Sequence, residues 1–198
     1  IQHMRSNNID TAGMQALNER YGGKNIGRNR EMLQLIEPLY HAYVQNFATN
    51  NGIDFPGMIV DAISCVNNGS YRHPYKYVLI DEYQDMSRPR YELIRALRLQ
   101  HDFSLFCVGD DWQSIYRFAG SDIHLILDFD RIWHAWGPTR MFQITTTRRF
   151  RQSLIDASGA FVMRDTNLYV KHLNNPSDKK DYSLKALGGH TEEERFNV

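Results

Sequence analysis

Most of what would place this chain outside a reducing, aqueous compartment is missing from it. Of 198 residues only two are cysteines. Cys65 and Cys107 lie far apart, in no metal-ligand spacing, among apolar neighbours. That excludes a disulfide scaffold and a zinc ribbon, and both thiols are expected to be reduced and in the core. No apolar run reaches the roughly 18 residues that span a bilayer, so no membrane partner is expected. Ile1 to Asp10 lack the apolar stretch of a secretory signal, and a cytoplasmic location is expected. Charge of one sign is not in excess either, because 23 basic residues meet 23 acidic ones. Wrapping of nucleic acid driven by net charge is excluded, whereas a protein with locally placed basic residues is not. There is no internal repeat and no long low-complexity tract. What the chain does have is 42% hydrophobic residues, enough core for one domain or two small ones.

Residues 1–29 are polar and rich in Gly and Asn, and structure is not expected over all of them. From Arg30 the spacing predicts a helix, with Met32, Leu35, Ile36, Leu39, Tyr43 and Phe47 at three- and four-residue steps. Pro38 is a candidate kink, and Asn50-Asn51-Gly52 a stop. A second helix is expected with Met58, Ile59, Ala62, Ile63 and Val66 on one face, ended by Asn67-Asn68-Gly69. The period then changes. Tyr77-Val78-Leu79-Ile80 reads as a buried strand of a parallel sheet, covered on both faces. Ser87 is a candidate N-cap for a helix carrying Leu93, Ile94 and Leu97. Leu105-Phe106-Cys107-Val108 reads as a second buried strand. Strand, helix, strand is the βαβ unit of an α/β fold. Ser121-Asp122 would cap a helix near 123–129, Met141-Phe142-Gln143-Ile144 reads as a third strand, and 154–163 as a further helix. The tail after Lys171 is polar and expected to trail off.

Ligands of α/β sheets bind at the carboxyl ends of the strands. Asp81 and Glu82 follow the first strand directly. Phosphoryl transfer to water needs one group to hold Mg2+ beside the phosphates and another to orient or deprotonate the water. Adjacent carboxylates suit that division, with Asp81 for Mg2+ and Glu82 for the water. The competing reading is a charged loop before a helix, which Asp85 would cap. The second strand ends in Gly109-Asp110-Asp111-Trp112-Gln113-Ser114-Ile115-Tyr116-Arg117-Phe118. Gly109 permits a sharp turn or a close backbone approach. Gln113 is an uncharged group able to sense a γ-phosphate or its water. Tyr116 and Phe118 offer faces on which unpaired bases stack. The competing reading makes Trp112, Tyr116 and Phe118 core residues at helical spacing.

At these residues the sequence resembles superfamily 1 DNA helicases of the UvrD/Rep type. Asp81-Glu82-Tyr83-Gln84-Asp85 is similar to their motif II, the Walker B element. Val108 to Gly120 is similar to motif III, and Thr146-Thr147-Arg148-Arg149-Phe150 to motif IV. Ile53-Asp54-Phe55 before a helix resembles a segment these enzymes carry shortly before motif II. The resemblance runs from about Met32 to Pro176. It implies ATP and Mg2+ as cofactors, single-stranded DNA and duplex junctions as partners, 3′→5′ translocation, and work in DNA repair. Asp81 would serve Mg2+, and Glu82 would be the catalytic carboxylate. Gln84 and Gln113 would couple nucleotide state to the DNA site. Asp110 and Arg148 would lie on the nucleotide side, and Arg149 would contact the γ-phosphate. Tyr116, Arg117 and Phe118 would line the single-strand path, with Phe118 stacking. Two positions depart from the pattern. Arg148 replaces an aromatic that helps hold the nucleotide base. Ala119 stands where many relatives place an arginine on DNA, although helicase IV-like members carry a small residue there.

A phosphate-cradling G-x-x-x-x-G-K-[ST] loop is absent. Gly22-Gly23-Lys24-Asn25 lacks the first glycine, the Ser/Thr and a preceding strand. The expectation is therefore an internal fragment of a longer chain, inactive alone, with its ATP and Mg2+ sites unfilled. Its fold would be a partial RecA-like parallel sheet with helices, preceded by a helical segment. Residues 1–75 would belong to a helical insertion and its return, 76–138 to the back half of a first RecA-like domain, and 139–198 to the start of a second. Two other readings stay open. One is a catalytically incomplete DNA- or protein-binding module derived from a helicase. The other is a metal-dependent phosphotransferase using Asp81, Glu82 and Asp110, in which the Gln-Ser-Ile-Tyr run has no purpose.

Overall fold

The computed structural model describes residues 1, 4, 5 and 7–176. The chain forms two compact units, 1–135 and 136–198. The first begins with a helical hairpin, α1 (Thr11–Tyr21) and α2 (Ile26–Thr49). Here the structure adds to the sequence reading, which left residues 1–29 unassigned. α1 has no strong apolar stripe and is held by polar groups instead. The Asp10 side chain caps it, accepting from Gly13 N at 2.7 Å. Asn18 Nδ2 donates to Ile26 O at 2.9 Å, and Asn29 Nδ2 to Asn18 Oδ1 at 2.9 Å. α2 runs unbroken through Pro38. Its buried residues are Leu33 and Tyr40, whereas Met32, Leu35 and Leu39 of the expected stripe are exposed.

α3 (Phe55–Asn67) starts at Asp54, whose side chain accepts from Gly57 N at 2.8 Å. The same carboxylate pairs with Arg5 at 2.8 Å and accepts from Tyr43 Oη at 3.2 Å. This one residue joins the chain start, α2 and α3. The Arg5 guanidinium, with the Gly57 amide, holds the Asp54 carboxyl below its usual range against the opposing pull of burial. An N-cap is worth about 0.5–2 kcal/mol, so Asp54→Ala should lower unfolding stability by about that much or slightly more in a urea titration. The sign with pH follows from the lowered value. The contribution is complete above the unfolded-state pKa of about 3.9 and is lost as pH falls through the lower folded value. The variant should lose that part of the acid dependence.

The sheet has two parallel strands, β1 (Tyr77–Ile80) and β2 (Ser104–Cys107), with Val78 opposite Leu105 and Leu79 opposite Phe106. α4 (Arg88–Gln100) makes the crossover. Ser87 sits at its N-cap position but makes no side-chain cap bond; its carbonyl accepts from Tyr91 N at 3.0 Å. Val66, Ala96, Leu97 and Phe103 form one buried apolar cluster, and Val78 and Leu105 pack on it from the sheet. The expectation of a sheet covered on both faces is not met. α3 and α4 supply the apolar cover of one face, while Tyr77, Leu79 and Phe106 on the other are 73%, 72% and 58% exposed. Cys107 is half-buried, and burial pushes its thiol up to about 12, but Cys65 is exposed rather than in the core.

Beyond β2, one expected helix near 123–129 is two short ones, α5 (His124–Leu127) and α6 (Phe129–Trp133). Asp122 Oδ1 accepts from His124 N at 3.1 Å. Trp133, 2% exposed, donates from Nε1 to the Tyr83 hydroxyl at 3.0 Å.

In the second unit, α7 (Gln152–Val162) falls where a helix is expected. The expected strand at 141–144 has no ladder among the described residues, and Met141, Phe142 and Ile144 are exposed. An apolar run without a partner does not make a strand. The tail does not trail off at once, because Thr146 bridges Asn174 and the Asn175 amide N–H donates to Gln152 Oε1 at 2.9 Å. Gly188, Gly189 and the rest of the expected tail after residue 176 lie outside the described residues. Among the described residues no helix is long and apolar enough to cross a membrane.

Candidate functional site

The two parallel strands end side by side, and hydrogen bonds continue past them. Val108 N donates to Ile80 O, and Tyr83 N to Val108 O, each at 2.8 Å. This zipping brings the segment after β1 against the segment after β2. Asp81 and Glu82 emerge there, both exposed. Asp81 Oδ1 accepts from Glu82 N at 2.9 Å. Glu82 has φ 50° and ψ 45°, the left-handed region that costs a non-glycine residue about 1–3 kcal/mol. The strain turns the chain sharply, sending Tyr83 inward and Glu82 outward. Tyr83 is 1% exposed and burial raises its phenol well above its ordinary value.

Gln84 is 2% exposed. Its Nε2 donates to Glu82 Oε2 at 2.6 Å, and its Oε1 accepts from Asp110 N at 2.9 Å. Asp110 in turn accepts from Gln113 Nε2 at 2.6 Å and from Trp112 N at 3.1 Å. Gly109 is required by close approach, since a Cβ there would lie 2.9 Å from Gln84 Oε1 and 3.1 Å from Gln84 N. Glu82, Gln84, Asp110 and Gln113 therefore form one hydrogen-bonded row across two strand ends.

Three residues past Gln113 the chain presents aromatic rings to solvent. Tyr116 is 47% and Phe118 80% exposed, with ring centroids 5.9 Å apart. Neither is a core residue. Trp112 is half-buried, and Arg117, which separates the two aromatics in sequence, is exposed. Beside Tyr116 opens a cavity of about 400 Å3, lined also by Phe55, Ile59, Asp85, Arg90 and Ser121. Asp85 Oδ1 and Ser121 Oγ are buried there without a partner among the described residues. Phe55, 86% exposed in the first turn of α3, was not among the expected site residues. The hints in sequence are a large apolar side chain directly behind a capping aspartate and the resemblance carried by Ile53-Asp54-Phe55, neither of which assigns Phe55 to the site.

No group of three or more metal-ligating side chains occurs among the described residues. Asp81 and Glu82 alone still suit Mg2+, which keeps several waters and takes one or two carboxylates plus phosphate oxygens. Arg148 and Arg149 belong to the second unit, both exposed, where Arg149 N donates to Thr147 Oγ1 at 3.4 Å.

Residues 2–133 match the UvrD/REP helicase N-terminal domain. The chain is similar to DNA helicase IV of Escherichia coli (strain K12), at 35% identity over 155 residues, 77% of this chain and 22% of that protein. It is similar to the ATP-dependent DNA helicase PcrA of Bacillus subtilis (strain 168), at 27% identity over 151 residues, 74% of this chain and 20% of that protein. A putative ATP-dependent DNA helicase of the same organism, YjcD, is 32% identical over 108 residues, 54% of this chain and 14% of that protein. The chain spans about a fifth of the length of the first two.

Proposed function

The chain belongs to the UvrD/REP helicase family, and from that premise we propose that it is the part of an ATP-dependent 3′→5′ DNA helicase in which hydrolysis meets the single strand. The observation that carries the reading is the row Glu82–Gln84–Asp110–Gln113, which ends three residues before the exposed rings of Tyr116 and Phe118. A group that handles the attacking water and a group that holds a base are thus joined by a continuous run of bonded side chains and backbone. Residues 1–75 belong to a helical insertion and its return, 76–138 to the back of a first RecA-like domain, and 139–198 to the start of a second. The protein works in the cytoplasm on single strands and duplex junctions.

The roles divide by chemistry. Mg2+ bound with ATP supplies positive charge at the β- and γ-phosphates. Asp81 is the residue that would hold the metal. Glu82 orients the water and accepts its proton. Gln113, bonded to Asp110, presents its amide to the nucleotide side. Arg149 brings a planar guanidinium to the transferring phosphoryl group, and Arg148 stacks or pairs near the nucleotide base. Tyr116 and Phe118 take unpaired bases on their faces, while Arg117 adds a cation to the backbone path.

The test is directional. The whole protein is expected to hydrolyse ATP faster with single-stranded DNA and to unwind a duplex with a 3′ tail but not one with a 5′ tail. The 198-residue chain alone, which has no phosphate-cradling loop, is expected to do neither. DNA-stimulated hydrolysis by the isolated chain, or preference for the 5′ tail, would refute the corresponding part.

A further inference from the structure

We propose that Arg90 is a phosphate-binding residue: with Tyr116 it makes the cavity between α3, α4 and the loop after β2 a seat for one nucleotide of a single strand. The inference rests on the base-stacking role given to Tyr116 above and names the cation that goes with it. Of the four arginines of α4, three are neutralised. Arg88 pairs with Asp122 at 3.7 Å, Arg95 with Glu92 at 3.2 Å and Arg98 with Asp102 at 2.9 Å. Arg90, exposed in the first turn, pairs with no carboxylate among the described residues. Its guanidinium makes a long bond from Nη1 to Asp85 O at 3.4 Å, which leaves most of its donors unused.

The cavity shows what those donors serve. It holds about 400 Å3, and Arg90 lines it together with Tyr116, Phe55 and Ile59. Ala119, also on the lining, brings no charge. Rings, an aliphatic side chain and a guanidinium suit an occupant that is flat and apolar at one end and anionic at the other. Asp85 and Ser121 add a requirement. Asp85 Oδ1 and Ser121 Oγ are buried there without a partner among the described residues, and buried polar atoms are rarely left so. A carboxylate only accepts, so the occupant must bring it a donor. Nucleobases carry such donors on their edges, whereas a lipid tail carries none. The same carboxylate repels an anion, so the base enters and the phosphate stays outside on exposed Arg90. The planar guanidinium matches two phosphate oxygens at once. A phosphate contact carries no sequence information, so Arg90 adds affinity for any strand and no preference among bases.

Salt dependence separates this role from a structural one. Fluorescent oligo-dT and oligo-dC are titrated with the whole protein, without nucleotide, and anisotropy is read from low to high salt. Loss of one phosphate contact on a single strand makes the slope of log K against log salt shallower by about 0.7. Arg90→Gln is expected to show that change, equally for both oligonucleotides. Its binding at low salt should be weaker by up to about 5-fold, the scale of one exposed ion pair. Arg90→Lys, which keeps the charge, is expected to keep the parent slope. The melting temperature should hold in both, because the residue is exposed. A parent-like slope in Arg90→Gln would overturn the proposal. So would a slope lost equally in Arg90→Lys, or a loss matched by a lower melting temperature in both variants. Phe118→Ala tells the two readings apart. If it weakens binding while Arg90→Gln leaves the slope alone, the strand path stands and Arg90 falls. If the parent binds no single strand, both fall.

Discussion

Glu82→Gln in the whole protein stops ATP turnover while leaving ATP binding in place. The expected fall in kcat is about 10²–10⁴-fold, the contribution of a positioned general base, with Kd for ATP nearly unchanged. The geometry favours so clean a separation. The new amide has the shape of the carboxylate, and its oxygen can still accept from Gln84 Nε2 where Glu82 Oε2 accepts now. Gln84, Asp110 and Gln113 therefore keep their bonds, and Asp81 keeps its carboxylate for the metal. What disappears is the capacity to take a proton from water. Single-turnover hydrolysis together with equilibrium binding of a fluorescent ATP analogue separates the two steps. Turnover within a few-fold of the parent would remove Glu82 from the catalytic role.

Phe118→Ala is expected to act at the far end of the same loop. The ring is 80% exposed, so its removal leaves no cavity and the melting temperature should hardly move. A stacked base is worth about 1–3 kcal/mol on alanine substitution, which corresponds to roughly 5- to 150-fold weaker binding of oligo-dT. The slope of log K against log salt should stay the same, because no phosphate contact is lost. Basal hydrolysis should survive, while base pairs opened per ATP fall. Anisotropy titrations at several salt concentrations, paired with unwinding and ATPase rates, measure each quantity. Unaltered oligo-dT affinity would refute a stacking role.

The legible parts of this sequence are those in which one local feature suffices. Val78-Leu79-Ile80 and Leu105-Phe106-Cys107 are short apolar runs with a helix-forming segment between them, and they pair in parallel. The carboxylates of Asp81 and Glu82 follow a strand directly, so the chain path alone places them at its end. The parts that escaped depend on polar contacts or on strand partners, neither of which an apolar pattern reports. α1 is held by Asp10 and by the amides of Asn18 and Asn29, which no apolar period reports. Met141 to Ile144 have strand composition, but composition does not provide a neighbouring strand. The candidate residues at the two strand ends are legible one by one, not as a row. That Gln84 is buried and bonded at both ends depends on Asp110 and Gly109, more than twenty positions away.

The bare sheet face has a colloidal consequence. Tyr77, Leu79 and Phe106 together form a flat apolar patch open to water, and the chain is isoelectric at about pH 7.3. Near neutrality no net repulsion keeps two molecules apart, so patch meets patch. The isolated chain is expected to be least soluble near neutral pH and to gain solubility as pH is moved away from neutrality in either direction, which a turbidity series across pH would check.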